Sequence, residues 1–159
     1  MSSPKYYLGF VFDRFDTVNL HCTHAYFGTL NADNLKFITT TVDYLFYSHG
    51  RGVGLRHAVF DKLETFKHQD GESRVLLMKD RLVLQPFAQI RAYFESRDLI
   101  STTYPFRPHV TIGERDIKSI SGFFHSYVLV KDGEVVKRWL LRKDTQGYSG
   151  VLQDTYEIT

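Results

Sequence analysis

Several features that would narrow the class of this chain at once are missing from it. Its 159 residues hold one cysteine, Cys22, so no disulfide can close within the chain, a pattern that suits a reducing compartment. No stretch approaches the length of apolar sequence that a membrane-spanning helix needs. The opening "MSSPKYYLGF" carries one lysine and no apolar segment of the signal-peptide kind, and a cytoplasmic protein is expected. Charge of either sign is not in excess: 20 Lys and Arg against 18 Asp and Glu leave +2. That falls short of the basic bias of proteins that grip long duplex nucleic acid, whereas a small anionic ligand needs only a local pocket. The glycine-rich "GRGVG" (50–54) neither opens a helix nor carries the lysine of a phosphate loop. Metal ligands are scarce too. His21 and His24 form a His-x-x-His, but on a strand that spacing points the two rings to opposite faces, with no cysteine cluster or acidic partner beside them. Neither a metal nor any other cofactor is expected.

What is present reads as a globular domain. Hydrophobic residues make up 43% and charged ones 24%, and the length fits one domain spanning 1–159. Aromatics reach 15%, with 13 Phe and 10 Tyr; they serve either a ring-rich core or surfaces that stack on flat ligands. Strands are predicted at 5–12 and 18–27, the second ending at Gly28. Leu35, Ile38, Val42 and Leu45 recur at helical steps after Asn31. Strands at 55–60 and 73–79 follow, joined by the polar "KHQDGE". A second helix carries Val83, Phe87, Ile90 and Phe94, with Pro86 in its first turn, where a missing N–H costs little. A strand at 106–113 and a hairpin over 123–142, turning at Asp132–Gly133, complete the order. The tail, 144–159, receives no assignment. Strands and helices mix without the regular alternation of a doubly wound sheet, and helices follow strands in two comparable halves. An α+β fold of two lobes is expected.

One oddity occurs twice. "HCTHAYFG" (21–28) and "HVTIG" (109–113) each place a histidine and a threonine two residues apart on a predicted strand, continuing into apolar sequence and Gly. In a strand, i and i+2 share a face, so His21 pairs with Thr23 and His109 with Thr111, while Cys22 and Val110 face the apolar side. Cys22 is then a small core residue rather than a nucleophile. A bare His-x-Thr is a weak signal, expected by chance about 0.6 times in this composition. The shared frame and the placement of one motif in each half make the pair informative.

These residues resemble those of the 2H phosphoesterase superfamily, the LigT-like and cyclic phosphodiesterase proteins. "HCTHAYFG" is similar to the family's H-x-T-L-x-F-x-G, with His24 where an apolar residue is usual, and "PHVTIG" is similar to its second motif. The likeness in element order runs from about Lys5 to Arg142. It implies a bilobal, duplicated α+β fold: two antiparallel sheets backed by helices around a central cleft where the four motif residues meet.

The chemistry suits the residue types. Metal-free cleavage of a phosphodiester needs a base for the attacking oxygen and an acid for the departing one, and histidine serves both near neutral pH. Fixed hydroxyl donors hold the non-bridging oxygens. His21 and His109 are therefore the expected acid–base pair, with Thr23 and Thr111 as phosphate clamps. Arg107, Arg115, Tyr104 and Tyr26 are candidate substrate contacts, each with a plain reading as surface charge or packing. His49, His57, His68 and His125 lie outside any motif and read as surface or loop residues. The expected partner is a short RNA, an oligonucleotide or a cyclic nucleotide, not a long duplex or a membrane, bound by a monomer. The substrates expected are 2′,3′-cyclic phosphate ends, 2′–5′-linked oligonucleotides or cyclic nucleotide signals. Competing readings are an RNA-end ligase-like activity, a non-catalytic nucleotide sensor with the same cleft, and a plain interaction module.

Overall fold

The computed structural model describes residues 3–12, 20–47, 53–102, 105–141 and 157–158. The strands are β1 (Tyr6–Phe12), β2 (His21–Gly28), β3 (Arg56–His68), β4 (Gly71–Met78), β5 (His109–Thr111), β6 (Ile120–Lys131), β7 (Glu134–Leu140) and β8 (Glu157–Ile158). The helices are α1 (Ala32–Tyr47) and α2 (Gln85–Ser96), the latter entered through a 3-10 turn at Arg81–Leu84.

Local chemistry accounts for the helices. Asn31 caps α1, its side chain accepting from Asn34 N–H at 2.8 Å. Ile38, Val42 and Phe46 are buried along the face of α1. Trp139 on β7 is fully buried and donates its indole N–H to Asp43 of α1 at 2.8 Å, which satisfies the ring's polar atom and pins the helix to the sheet. Helix α2 has Pro86 in its first turn and buries Phe87, Ile90 and Phe94. It stops at Asp98, whose φ of 57° is left-handed, and the Leu99 N–H returns to the Phe94 carbonyl at 3.0 Å.

The strands form one antiparallel sheet in the order β1-β2-β5-β4-β3-β6-β7, with β8 paired to β6 and a further pairing between β1 and β6. The expectation of two sheets meets a continuous one. The reason is the length of β6: Ile120–Phe124 pair with β3, and Phe124–Lys131 pair with β1. On the opposite side the sheet is joined at a single pair, Cys22 opposite Val110, between β2 and β5. Between these joins lies a core of rings in which Phe10 contacts Phe87, Phe124 and Tyr127 at centroid distances of 4.7–4.9 Å. Phe12, Phe46, Phe60, Phe94 and Trp139 are also fully buried, so a large share of the aromatic content serves packing.

Three departures from the expected elements shape the site. The "KHQDGE" stretch is not a loop: β3 runs on to His68 and β4 begins at Gly71, a hairpin arm mostly exposed on both faces. Such an arm has no apolar alternation for the sequence to show. Strand β5 is three residues long rather than eight: before it Pro108 has no N–H to donate to a ladder, and after it Gly113 leaves extended backbone with φ 62°. The tail contributes Glu157–Ile158, paired with Ile120 and Ser121. The predicted hairpin turn holds, with Asp132 and Gly133 at φ 49° and 83°, the two positive values of a tight two-residue turn.

Candidate active site

The site is built around the Cys22–Val110 pair. Cys22 and Val110 are both fully buried, their side chains on the core side. In an antiparallel ladder the residues flanking that pair also face one another, so the register sets Thr23 opposite His109 and His21 opposite Thr111, all on the other face. Burial pushes the Cys22 thiol up to about 12, so it stays protonated and inert.

Strand β2 is irregular just past this point. Gly9 of β1 pairs with Thr23, but Leu8 pairs with Ala25, leaving His24 as the extra residue of a bulge. The bulge shifts the phase of the strand, so His21, Thr23 and Tyr26 are the half-buried positions of the strand and His24 turns inward. His24 is 1% exposed and hydrogen-bonded through Nδ1 to the Tyr127 hydroxyl at 2.6 Å. Desolvation, aided by the positive charge of Arg91, lowers its pKa to about 3, so the ring is neutral. The residue that departs from the motif it resembles is thus a buried histidine bonded through Nδ1, and the bulge is held from outside by Arg91 of α2, whose Nε donates to the His24 carbonyl at 2.8 Å.

His21 Nε2 lies 2.9 Å from Thr23 Oγ1, and the His21 ring stacks on Tyr7 with centroids 4.9 Å apart and planes 21° from parallel. The close approach of β1 that brings Tyr7 there needs Gly9: a Cβ at this position would lie 2.8 Å from the Cys22 carbonyl oxygen. His109 is oriented differently. Its Nδ1 lies 2.7 Å from the Arg107 carbonyl, which can only accept, so Nδ1 donates and the neutral ring keeps its lone pair on Nε2. Phe66 packs edge-on against this ring at 4.7 Å. Desolvation lowers the His109 pKa, the carbonyl contact opposes this, and the Arg107 charge adds to the lowering.

A cavity of about 690 Å³ opens here. Four expected residues, Thr23, Tyr26, Arg107 and His109, line it. His21 is tethered to one of them, Thr23, without lining the cavity itself. Thr111 is exposed, beside Val75 of β4. Arg115 turns back to the Ile112 carbonyl at 3.3 Å and does not line the cavity. Tyr104 lies outside the described residues.

The remaining lining was not singled out from the sequence. Thr65, Phe66, Lys67 and His68 come from the hairpin arm, Arg91 from α2, and Thr102, Pro105 and Phe106 from the approach to β5. His68, expected to be an ordinary surface residue, is hydrogen-bonded to Ser73 at 2.9 Å on the cavity's edge. Arg107 spans the Phe66 ring at 5.2 Å and pairs with Glu64 at 2.5 Å. Among the described residues the lining holds Lys67, Arg91 and Arg107 and no carboxylate. A wall of cations, histidines, hydroxyls and aromatic faces suits an anionic, partly flat ligand.

No protein-family model matches the chain. No curated protein matches it. Solved structures do resemble it. A structure described as a phosphoesterase aligns with a TM-score of 0.57 at 14% identity, over 87% of this chain and 99% of its own. The protein TT0787 of Thermus thermophilus aligns at 0.59 and 13%, over 88% and 99%. E. coli LigT complexed with 3'-AMP aligns at 0.56 and 16%, over 89% and 100%. With both chains covered almost end to end, the protein has the fold of the LigT-like phosphoesterases.

Proposed function

We propose that this chain is a metal-independent phosphodiesterase of the 2H kind, cleaving small RNA-derived substrates with His21 and His109 as the acid–base pair and Thr23 and Thr111 as phosphate clamps. The observation that carries the reading is the β2–β5 register, which flanks one cross-strand pair with both His-x-Thr motifs. The cationic lining of the adjoining cavity, Lys67, Arg91 and Arg107, supports an anionic substrate. That LigT has been crystallised with 3'-AMP supports a small nucleotide. The sheet is read as two half-sheets sharing β6, namely β2-β1-β6-β7 and β5-β4-β3-β6, the two lobes of a duplicated fold with the site at their second seam.

Within this reading His109 is the base. Its Nδ1–H is committed to the Arg107 carbonyl and its pKa is lowered, so Nε2 offers a lone pair at neutral pH. It takes the proton of the attacking oxygen, that of water at a 2′,3′-cyclic end or of the vicinal ribose hydroxyl at a 2′–5′ linkage, as the new P–O bond forms, while His21 gives a proton to the departing ribose oxygen as the old bond breaks. The threonine hydroxyls hold the non-bridging oxygens. Nothing in this scheme generates a strong nucleophile, so the favoured substrates have a ribose 2′ oxygen at the scissile phosphate, as in 2′,3′-cyclic ends or 2′–5′ linkages, where position lowers the barrier.

The test is a matched pair of short 2′–5′-linked oligonucleotides, one with intact ribose bearing the vicinal 3′ hydroxyl and one 3′-deoxy at that sugar, assayed under single-turnover conditions with EDTA present. The ribose substrate is expected to be cleaved at least about 10²-fold faster, with EDTA changing its rate by less than about twofold. Equal rates would show direct attack by water, and a need for added Zn²⁺ or Mn²⁺ would overturn the histidine mechanism.

A further inference from the structure

A second cavity, of about 410 Å³, adjoins the first. Its lining includes Arg81, Gln85, Arg91, Glu95 and Phe106, and it shares His24, Arg91 and Phe106 with the main cavity. Phe106 lines both cavities. Two guanidinium groups approach its ring, Arg91 at 4.2 Å and Arg81 at 5.7 Å from the centroid.

The two arginines are not equivalent. Arg91 is fixed: Nε donates to the His24 carbonyl at 2.8 Å, Nη1 to Glu95 at 2.6 Å, and only 11% of its side chain is exposed. Arg81, in the 3-10 turn before α2, has no ion-pair partner among the described residues. Among the described residues the charges lining this cavity are then two guanidiniums against one carboxylate, and that carboxylate is held on Arg91. The repulsion between Arg81 and Arg91 contributes to lowering the Arg91 pKa, after desolvation. Like charges gathered on one ring and only half neutralised are stabilised when an anion comes between them, and guanidinium donors fit phosphate oxygens.

We propose that this second cavity is a phosphate subsite, in which Arg81 and Arg91 hold a phosphate one nucleoside removed from the scissile one, with the intervening nucleoside passing the edge of Phe106. The preferred substrate is accordingly an oligonucleotide that carries a second phosphate, rather than a lone cyclic mononucleotide. This rests on the phosphodiesterase reading of the main cavity. The second phosphate has two sources, an internal diester of a longer chain or a terminal monoester.

The experiment compares three substrates with the same scissile linkage: a dinucleotide without a terminal phosphate, the same dinucleotide with one, and a trinucleotide. KM is expected to be about tenfold lower for at least one of the two substrates with a second phosphate, with kcat within about twofold, and which of them gains identifies the source. In Arg81→Ala the KM ratio between substrates with and without the second phosphate is expected to fall to near one. Direct binding of the three oligonucleotides to the His109→Ala protein separates the subsite from the chemistry. Preferential binding lost with Arg81, but no turnover of any substrate by the wild type, would sustain the subsite and sink the phosphodiesterase reading. Turnover with no preference for a second phosphate, or with a preference untouched by Arg81→Ala, would overturn the subsite.

Discussion

Cys22 of β2 lies directly opposite Val110 of β5, and this one pair is the join between two parts of the sheet that β6 otherwise links from the far side. Both side chains are fully buried, so the residues flanking them, two histidines and two threonines, are presented together on the opposite face. The pair is apolar packing, yet it sets the geometry of every group in the proposed mechanism.

The flanking residues divide by role. His21→Ala and His109→Ala are each expected to lower kcat by at least ~10² while the protein stays folded. Thr23→Ala and Thr111→Ala should each cost about 1.5–3 kcal/mol in transition-state binding, one charge-assisted hydrogen bond. Cys22→Ser should remain active and lose about 1–3 kcal/mol of stability, since a hydroxyl replaces a buried thiol in an apolar place. Steady-state kinetics with circular dichroism and thermal melts check all five. Near-wild-type turnover in either histidine variant would remove that residue from the site.

The pH profile follows from the environment of His109. Desolvation places its pKa below the ordinary 6.5, so in the free enzyme the base becomes neutral on the acid side of that value. With a proton required on His21, kcat/KM should be bell-shaped, its acid limb half-risen below pH 6.5. An acid limb centred above pH 7 would mean that His109 is not the base.

Stability should fall with acid for a separate reason. The unfolded chain protonates His24 near 6.5, whereas the folded one holds it neutral down to about 3. Between those values the unfolded state binds more protons, so stability is complete above pH 6.5 and declines as the pH drops toward 3, by up to about 1.4 kcal/mol per unit. His24→Leu should flatten this slope, at the cost of leaving the Tyr127 hydroxyl without its partner. Urea unfolding of both proteins at pH 7 and pH 4.5 makes the comparison; identical slopes would exclude His24 as the group responsible.

Gly9→Ala tests how tightly the site depends on β1. The added Cβ would meet the Cys22 carbonyl oxygen at 2.8 Å and the Tyr7 ring at 3.3 Å, the ring that stacks on His21. Backbone must shift, so a loss of about 1–3 kcal/mol is expected together with reduced kcat. Unchanged stability in a denaturation curve would show that β1 yields without strain.

Some of this was legible in the residues themselves. Period-two alternation was enough to put His21 with Thr23 and His109 with Thr111, and to turn Cys22 and Val110 inward, because side-chain direction along a strand is a local property. Helical spacing likewise marked the buried faces of α1 and α2, and Asp132–Gly133 marked a turn that only left-handed backbone can make. The meeting of the two motifs was not local. It depends on β2 choosing β5 as its neighbour across some 88 residues, the separation of Cys22 and Val110, and strand pairing is decided by the whole core. The bulge at His24 that brings Tyr26 onto the site face depends on β1, and the hairpin arm that supplies Phe66, Lys67 and His68 is polar on both sides and has no periodicity to read. Nothing in the local sequence sets Arg91 apart from the other charges of α2. Only packing of α2 against β2 turned it into the brace of the bulge and the wall between two cavities, since contacts between distant segments exist only once the chain has folded.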